Sequence, residues 1–179
     1  MRPREAEASS AMPPTYADLY REHHARIEGL CRLLLASAAD AEEIGQEVFL
    51  RLHRSLPRAE APMAWGAWLT RVAVNACRDR RRARWWRAWR DRSDELVEAE
   101  IAAPAPTPEE TVASREQHAL VWAAFRRLPT RQREVFALRQ IEGWSTEDTA
   151  RALGVSTGSV KRHLSRAVSK LRAMLGGLR

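Results

Sequence analysis

Residues Ser145 to Leu175 read STEDTARALGVSTGSVKRHLSRAVSKLRAML and join two helical patterns across a turn at Gly154-Val155. Ser145 is a good N-cap, and Asp148 stands three residues on, where a capping-box acid sits. Ala150 and Leu153 turn inward on the short first helix. Gly154 supplies the reversal, because glycine takes a positive φ without strain. Ser156 caps a longer second helix, whose apolar Val160, Leu164, Ala167, Leu171 and Leu175 recur at spacings of three and four. Its opposite face carries Thr157, Ser159, Lys161, Arg162, His163 and Arg166. The spacing predicts a helix-turn-helix with a basic, hydroxyl-rich second helix. Such a helix fits the major groove, its N-terminal side chains at base edges and its arginines at phosphates. A plain helical hairpin with a solvated basic face has the same pattern, so the rest of the chain must decide.

The chain has 179 residues, a net charge of +7 and a pI near 10.5, a balance that favours a polyanionic partner. Of 30 basic residues only Lys161 and Lys170 are lysine, leaving 30 − 2 = 28 arginines. Two readings stand: bidentate phosphate and guanine contacts, or the codon bias of a GC-rich genome. Cys31 and Cys77 are far apart, with no CxxC and no paired histidine spacing, so they read as small buried thiols in a reducing cytoplasm rather than a zinc site. Arg2 and Arg4 have no apolar segment behind them, and no run approaches the length of a membrane span, so neither a signal peptide nor membrane insertion is expected.

Residues 1–14 hold Pro, Ala, Ser and Glu without periodicity and are expected to be a disordered tail. From Thr15 to Ala36, Tyr16, Leu19, Tyr20, Ile27, Leu30 and Leu34 make one apolar stripe of a helix. Asp40 is expected to cap a second helix, with Glu43 at the capping-box position and Ile44, Val48, Leu52 and Leu56 facing a core. Glu42, Glu43, Gln46 and Glu47 form a separate acidic face, with Phe49 and Leu50 beside it. That face is either a solvated first turn or a dock for a basic partner. After a loop from Pro57 to Pro62, a third helix is expected from Met63 to Arg84, with Trp65, Leu69, Val72 and Ala76 inward. Arg71, Asn75, Arg78 and Arg82 make another stripe on it, and Asn75 is suited to an exposed base.

Residues Arg78 to Arg92 read RDRRRARWWRAWRDR, eight arginines against two aspartates, 8 − 2 = +6. Trp85, Trp86 and Trp89 are interleaved, as single-stranded nucleic acid requires: charge for the backbone and rings for unstacked bases. A membrane-surface helix and simple packing on the helical domain are the competing readings. From Ser93 to Glu116 the charge reverses to 1 − 7 = −6, and Pro104, Pro106 and Pro108 bar a helix. Beyond it helices resume: Leu120, Val121, Ala124 and Leu128 face inward, Pro129 stops that helix, and Thr130 caps the next. The small second core draws on Trp122, Phe125, Phe136 and Trp144. The expected fold is all-α: two small helical domains at 15–92 and 115–179, joined by a flexible acidic, proline-containing linker at 93–114, the second domain holding the helix-turn-helix.

Four segments carry a resemblance: YADLYREHHARIEGLCRLLL, DAEEIGQEVFLRLHRSL, AWLTRVAVNACRDRRR, and LPTRQREVFALRQIEGWSTEDTARALGVSTGSVKRHLSRAVSKLRAML. In that order they resemble the extracytoplasmic-function group of bacterial RNA polymerase sigma factors. The resemblance implies that the first three form a region-2 domain and the fourth a region-4 domain. It implies that Asp40, Glu43, Gln46, Glu47 and Phe49 bind the clamp helices of the core RNA polymerase β′ subunit. It implies capture of a flipped base of the −10 strand by the loop from Ser55 to Ala64 and the helix of Asn75, with Arg71, Arg78, Arg81 and Arg82 along the strand. Region 4 would read the −35 element through Thr157, Ser159, Lys161, Arg162 and Arg166 and dock on the polymerase β flap. An anti-sigma factor is a further partner that many relatives have. The segment PRAEAPMAW departs from the Arg-Gly-Asp/Ser-Ser-Phe type of loop common in the family, and Trp85, Trp86 and Trp89 are more aromatic than usual.

The expected activity is binding, not catalysis, in the cytoplasm, with promoter DNA and core polymerase as partners and neither cofactor nor metal. A stand-alone helix-turn-helix regulator would leave the Arg/Trp segment unused and would need a dimer seam, which the heptad pattern does not supply. A nucleic-acid-modifying enzyme would need a P-loop, a zinc set, a nucleophile elbow or clustered carboxylates with histidine, and the sequence has none of these.

Overall fold

The computed structural model describes residues 13–35, 37–59, 63–91 and 112–176, without the side chains of 87–91, 112–116 and 118. Residues 1–12 of the expected tail, most of the linker and the side chain of Trp89 lie outside it. Every regular element among the described residues is helical. We label them α1 (Tyr16–Leu34), α2 (Ala38–Ser55), α3 (Trp65–Asp91), α4 (Val112–Arg126), α5 (Thr130–Phe136), α6 (Thr146–Leu153) and α7 (Thr157–Leu175).

Helices α1, α2 and α3 pack on one another through Ile27, Leu30 and Leu34 of α1, Val48 and Leu52 of α2, and Leu69 and Val74 of α3, each at most 2 % exposed. Burying each such side chain is worth about 1.5–3 kcal/mol. Cys31 and Cys77 are free thiols inside this core. The thiol of Cys77 is pushed up by its hydrogen-bonding contact with Cys31 and by burial, so it stays protonated. The core does not stop at α3. Val135, Ala137, Leu138, Leu153 and Val160 belong to the same cluster, so the two helical halves share one interior. A smaller cluster of Phe125, Leu128 and Ala167 closes the far side of α4 and α7.

Several local expectations change. Ser37, not Asp40, caps α2, accepting from the Asp40 amide at 3.2 Å; Asp40 therefore sits inside the first turn. Helix α3 runs on to Asp91, because the arginine-rich run contains neither Gly nor Pro to stop it. Thr130 makes no side-chain cap; α5 starts after Pro129 and widens into a π turn at Ala137–Ile141. On α4 the inward residues are Ala124 and Phe125, while Leu120 and Val121 are 47 % and 48 % exposed. The helix-turn-helix forms as the spacing requires. Ser145 caps α6 by accepting from Asp148, Gly154 takes φ +63°, and Ser156 caps α7 by accepting from Ser159.

Candidate nucleic-acid interface

Three surfaces carry the candidate residues. The first is the outer face of α7. Val160 and Ala167 bury its inner side, which turns Arg162 and Arg166 outward one turn apart; Thr157 and Lys161 lie exposed on the flank, and Ser159 is half-buried at the edge. Lys161, Arg162 and Arg166 pair with no acid among the described residues, so their charge is available to a ligand. His163 turns inward, its Nδ1 buried and without a partner.

The second surface is α3. Arg71, Asn75 and Arg78 line a cleft of about 440 Å³ whose other wall is Asp148, Arg151 and Gly154 of the helix-turn-helix. The Arg78 guanidinium donates to the carbonyl of Ala152 at 3.1 Å. Arg82 is exposed and pairs locally with Asp79 at 2.8 Å. Arg81 does not join this stripe. It projects from another side of α3, donating to the Leu34 carbonyl at 3.0 Å and pairing with Glu134 of α5, whose side chain is 1 % exposed. A second buried acid repeats the device: Glu142, 3 % exposed, pairs with Arg26 and accepts from the Thr70 hydroxyl at 2.8 Å. Arg26 also donates to Thr70 at 2.8 Å and to the Gly66 carbonyl at 3.1 Å. These two acids tie the halves together, and sequence reasoning passed over both; nothing in a sequence distinguishes a buried glutamate from a solvated one.

The third surface is the acidic face of α2. Arg80 bridges Asp40 at 2.7 Å and Glu43 at 2.5 Å, and Arg84 reaches Asp40 at 3.0 Å. That hydrogen bond from Arg80 holds the Glu43 carboxyl below the ordinary glutamate range, and the same acids push the Arg80 guanidinium up. Gln46 is exposed and Glu47 pairs with Arg51 one turn on. Phe49 is 3 % exposed, its ring against Tyr20 and His24, so it supports the face from beneath; Leu50, 57 % exposed, is the apolar residue the face presents. The exposure of Val121 has a counterpart here. With Phe125, Phe136, Leu171 and Leu175 it lines an apolar groove of about 510 Å³ between α4 and α7. Among the described residues no group of three His, Cys, Asp or Glu could hold a metal ion, and no helix is long and apolar enough to cross a membrane.

Comparison with known proteins matches residues 19–87 to the Sigma-70 region 2 family and residues 118–171 to the Sigma-70 region 4 family. The chain is 34 % identical over 163 residues to the ECF RNA polymerase sigma factor SigM of Mycobacterium tuberculosis, covering 91 % of this chain and 78 % of that one. It is 32 % identical over 164 residues to the RNA polymerase sigma factor CarQ of Myxococcus xanthus, covering 91 % and 90 %. Among solved structures, the sigma factor RpoE of Bartonella quintana, crystallised with the anti-sigma factor NepR, has the same fold at a TM-score of 0.74 and 21 % identity, covering 92 % of this chain and 98 % of that one. CnrH, solved with the cytosolic domain of CnrY, follows at 0.60 and 24 %, covering 92 % and 89 %.

Proposed function

The chain belongs to the extracytoplasmic-function group of RNA polymerase sigma factors, and from that premise we propose how its surfaces divide the work of promoter recognition. Residues 15–92 act as the region-2 domain and 115–179 as the region-4 domain, with 93–114 between them. Helix α7 lies in the major groove of the −35 element, Arg162 and Arg166 foremost, Thr157 and Lys161 at the flank and Ser159 at the edge. Arg71, Asn75, Arg78 and Arg82 take the −10 strand once its bases leave the stack, replacing lost pairing by contacts to base edge and phosphate. Arg81 joins them only when its pair with Glu134 opens. Core RNA polymerase is held at two places: its β′ clamp helices against Asp40, Glu43, Gln46 and Glu47, with Leu50 exposed and Phe49 beneath, and its β flap in the apolar groove of α4 and α7. The protein works in the cytoplasm, where the polymerase is, and by binding rather than catalysis. An anti-sigma factor, like the one solved with RpoE, completes the partners.

The observation that carries this reading is the outer face of α7, three cations with no acid partner among the described residues, set on a helix-turn-helix with both helices capped. Run-off transcription from pooled genomic fragments, with core polymerase and with or without this protein, tests it. Initiation at sites sharing two spaced elements supports the role. Tight duplex binding by the protein alone, with no polymerase-dependent start, would replace it with a stand-alone regulator.

A further inference from the structure

Three tryptophans of the described residues serve the main core, and Trp122 is half-buried. Trp65 is 7 % exposed, and Trp68 and Trp144 pack against the same cluster. Trp85 and Trp86 depart from this at 56 % and 47 % exposed. Large aromatics this exposed and side by side mark an interaction surface. Their rings meet edge to face, centroids 4.8 Å apart at 76°, which makes one two-walled corner of the pair.

Their place on α3 says what the corner faces. At 100° per residue, Arg71, Asn75, Arg78, Arg82, Trp85 and Trp86 all fall within a stripe about 100° wide, and Trp85 lies about 15 Å along the axis from Asn75. Arg71, Arg78 and Arg82 make the stripe basic, while Arg80, Arg81 and Arg84 leave α3 on other sides, held by Asp40, Glu43 and Glu134. Helix α6 meets it at Arg78, through the carbonyl of Ala152, and Trp85 and Trp86 lie about two turns further on.

We propose that Trp85 and Trp86 form a stacking platform for an unpaired base of nucleic acid, prolonging the strand-binding face of α3 toward its C-terminus. The inference rests on the strand-capture reading of α3 given above. Charge complementarity selects the occupant: Arg71, Arg78 and Arg82 of the same stripe meet the phosphates while the rings take a base face, a combination that tolerates any sequence because every base has a π-face. An anionic bilayer also attracts arginine and tryptophan. It has no use for Asn75 on the same stripe, whereas a base edge does.

The test uses the full chain, the Trp85→Ala/Trp86→Ala variant and the Trp85→Phe/Trp86→Phe variant. Each is titrated with a labelled mixed-sequence single-stranded oligonucleotide and with phosphatidylglycerol–phosphatidylcholine vesicles, and assayed for initiation with core polymerase. The alanine pair should bind the oligonucleotide at least about fivefold more weakly, the low end for one lost stacking contact. The phenylalanine pair should recover most of the affinity, and the salt slope should not change, since no phosphate contact is removed. Equal oligonucleotide affinity for all three chains overturns the platform. So does loss of vesicle binding by the alanine pair with oligonucleotide affinity intact, which would give the surface to membrane. If the oligonucleotide loss is seen but the unmodified chain fails to initiate with polymerase, the platform stands and the promoter role falls.

Discussion

Arg81 and Arg82 are neighbours in sequence with opposite fates, and the difference can be measured. Arg81 is the cation of a glutamate that is 1 % exposed, so Arg81→Ala leaves Glu134 with only Arg131, at 2.9 Å. Removing one partner of a buried pair costs about 3–5 kcal/mol; with Arg131 remaining, the low end of that range is expected in urea unfolding. Arg82 pairs with Asp79 in open water, and Arg82→Ala should change stability by less than about 0.5 kcal/mol while weakening single-strand binding. On α7, Arg162→Ala should lower the salt slope of duplex binding by about one unit, read from affinities across a salt series; an unchanged slope would remove it from the phosphate contacts. Glu43 gives a pH signature. Its folded-state carboxyl is held low by Arg80, so the pair stabilises the fold above the ordinary glutamate range and the contribution is lost as pH falls through the lowered value. Glu43→Gln should therefore make the acid limb of the stability profile shallower, as followed by thermal melts at stepped pH.

At the scale of the element, the helix-turn-helix was readable because its punctuation is chemical. Ser145, Gly154 and Ser156 each do something other residues do poorly, and all three appear where the spacing placed them. Gly154→Ala should cost about 1–2 kcal/mol through its left-handed backbone, φ +63°, with nothing crowding the new methyl, and a melt of the full chain would show it. Other boundaries were not readable. Both Ser37 and Asp40 are good caps, and only the structure decides that the serine accepts while the aspartate turns to Arg80 and Arg84. On α4, Leu120 and Val121 satisfy an inward stripe as well as Phe125 does. What puts them outside is the neighbour: α7 packs on Phe125 and leaves Val121 to an open apolar groove.

At the scale of the molecule, the fold class and the order of the two halves followed from pattern, but their mutual packing did not. It depends on Arg26, Thr70, Glu134 and Glu142, which come from distant stretches and meet only in three dimensions. Because α6 lies over Arg78 and the cleft beside Asn75, the strand capture proposed for α3 would compete with this packing. Glu134→Ala together with Glu142→Ala should part the halves, raise the radius of gyration in small-angle scattering and strengthen binding to a single-stranded oligonucleotide. Expansion without tighter binding would mean that Arg71 and Asn75 are already accessible. The shared interior has a calorimetric meaning as well. Val135, Leu138, Leu153 and Val160 belong to the cluster of Ile27, Leu52 and Leu69, so neither half retains a complete dry interior when the other departs. Heat should therefore denature the protein in a single endotherm whose calorimetric and van 't Hoff enthalpies agree, and an interface variant should split that peak in two.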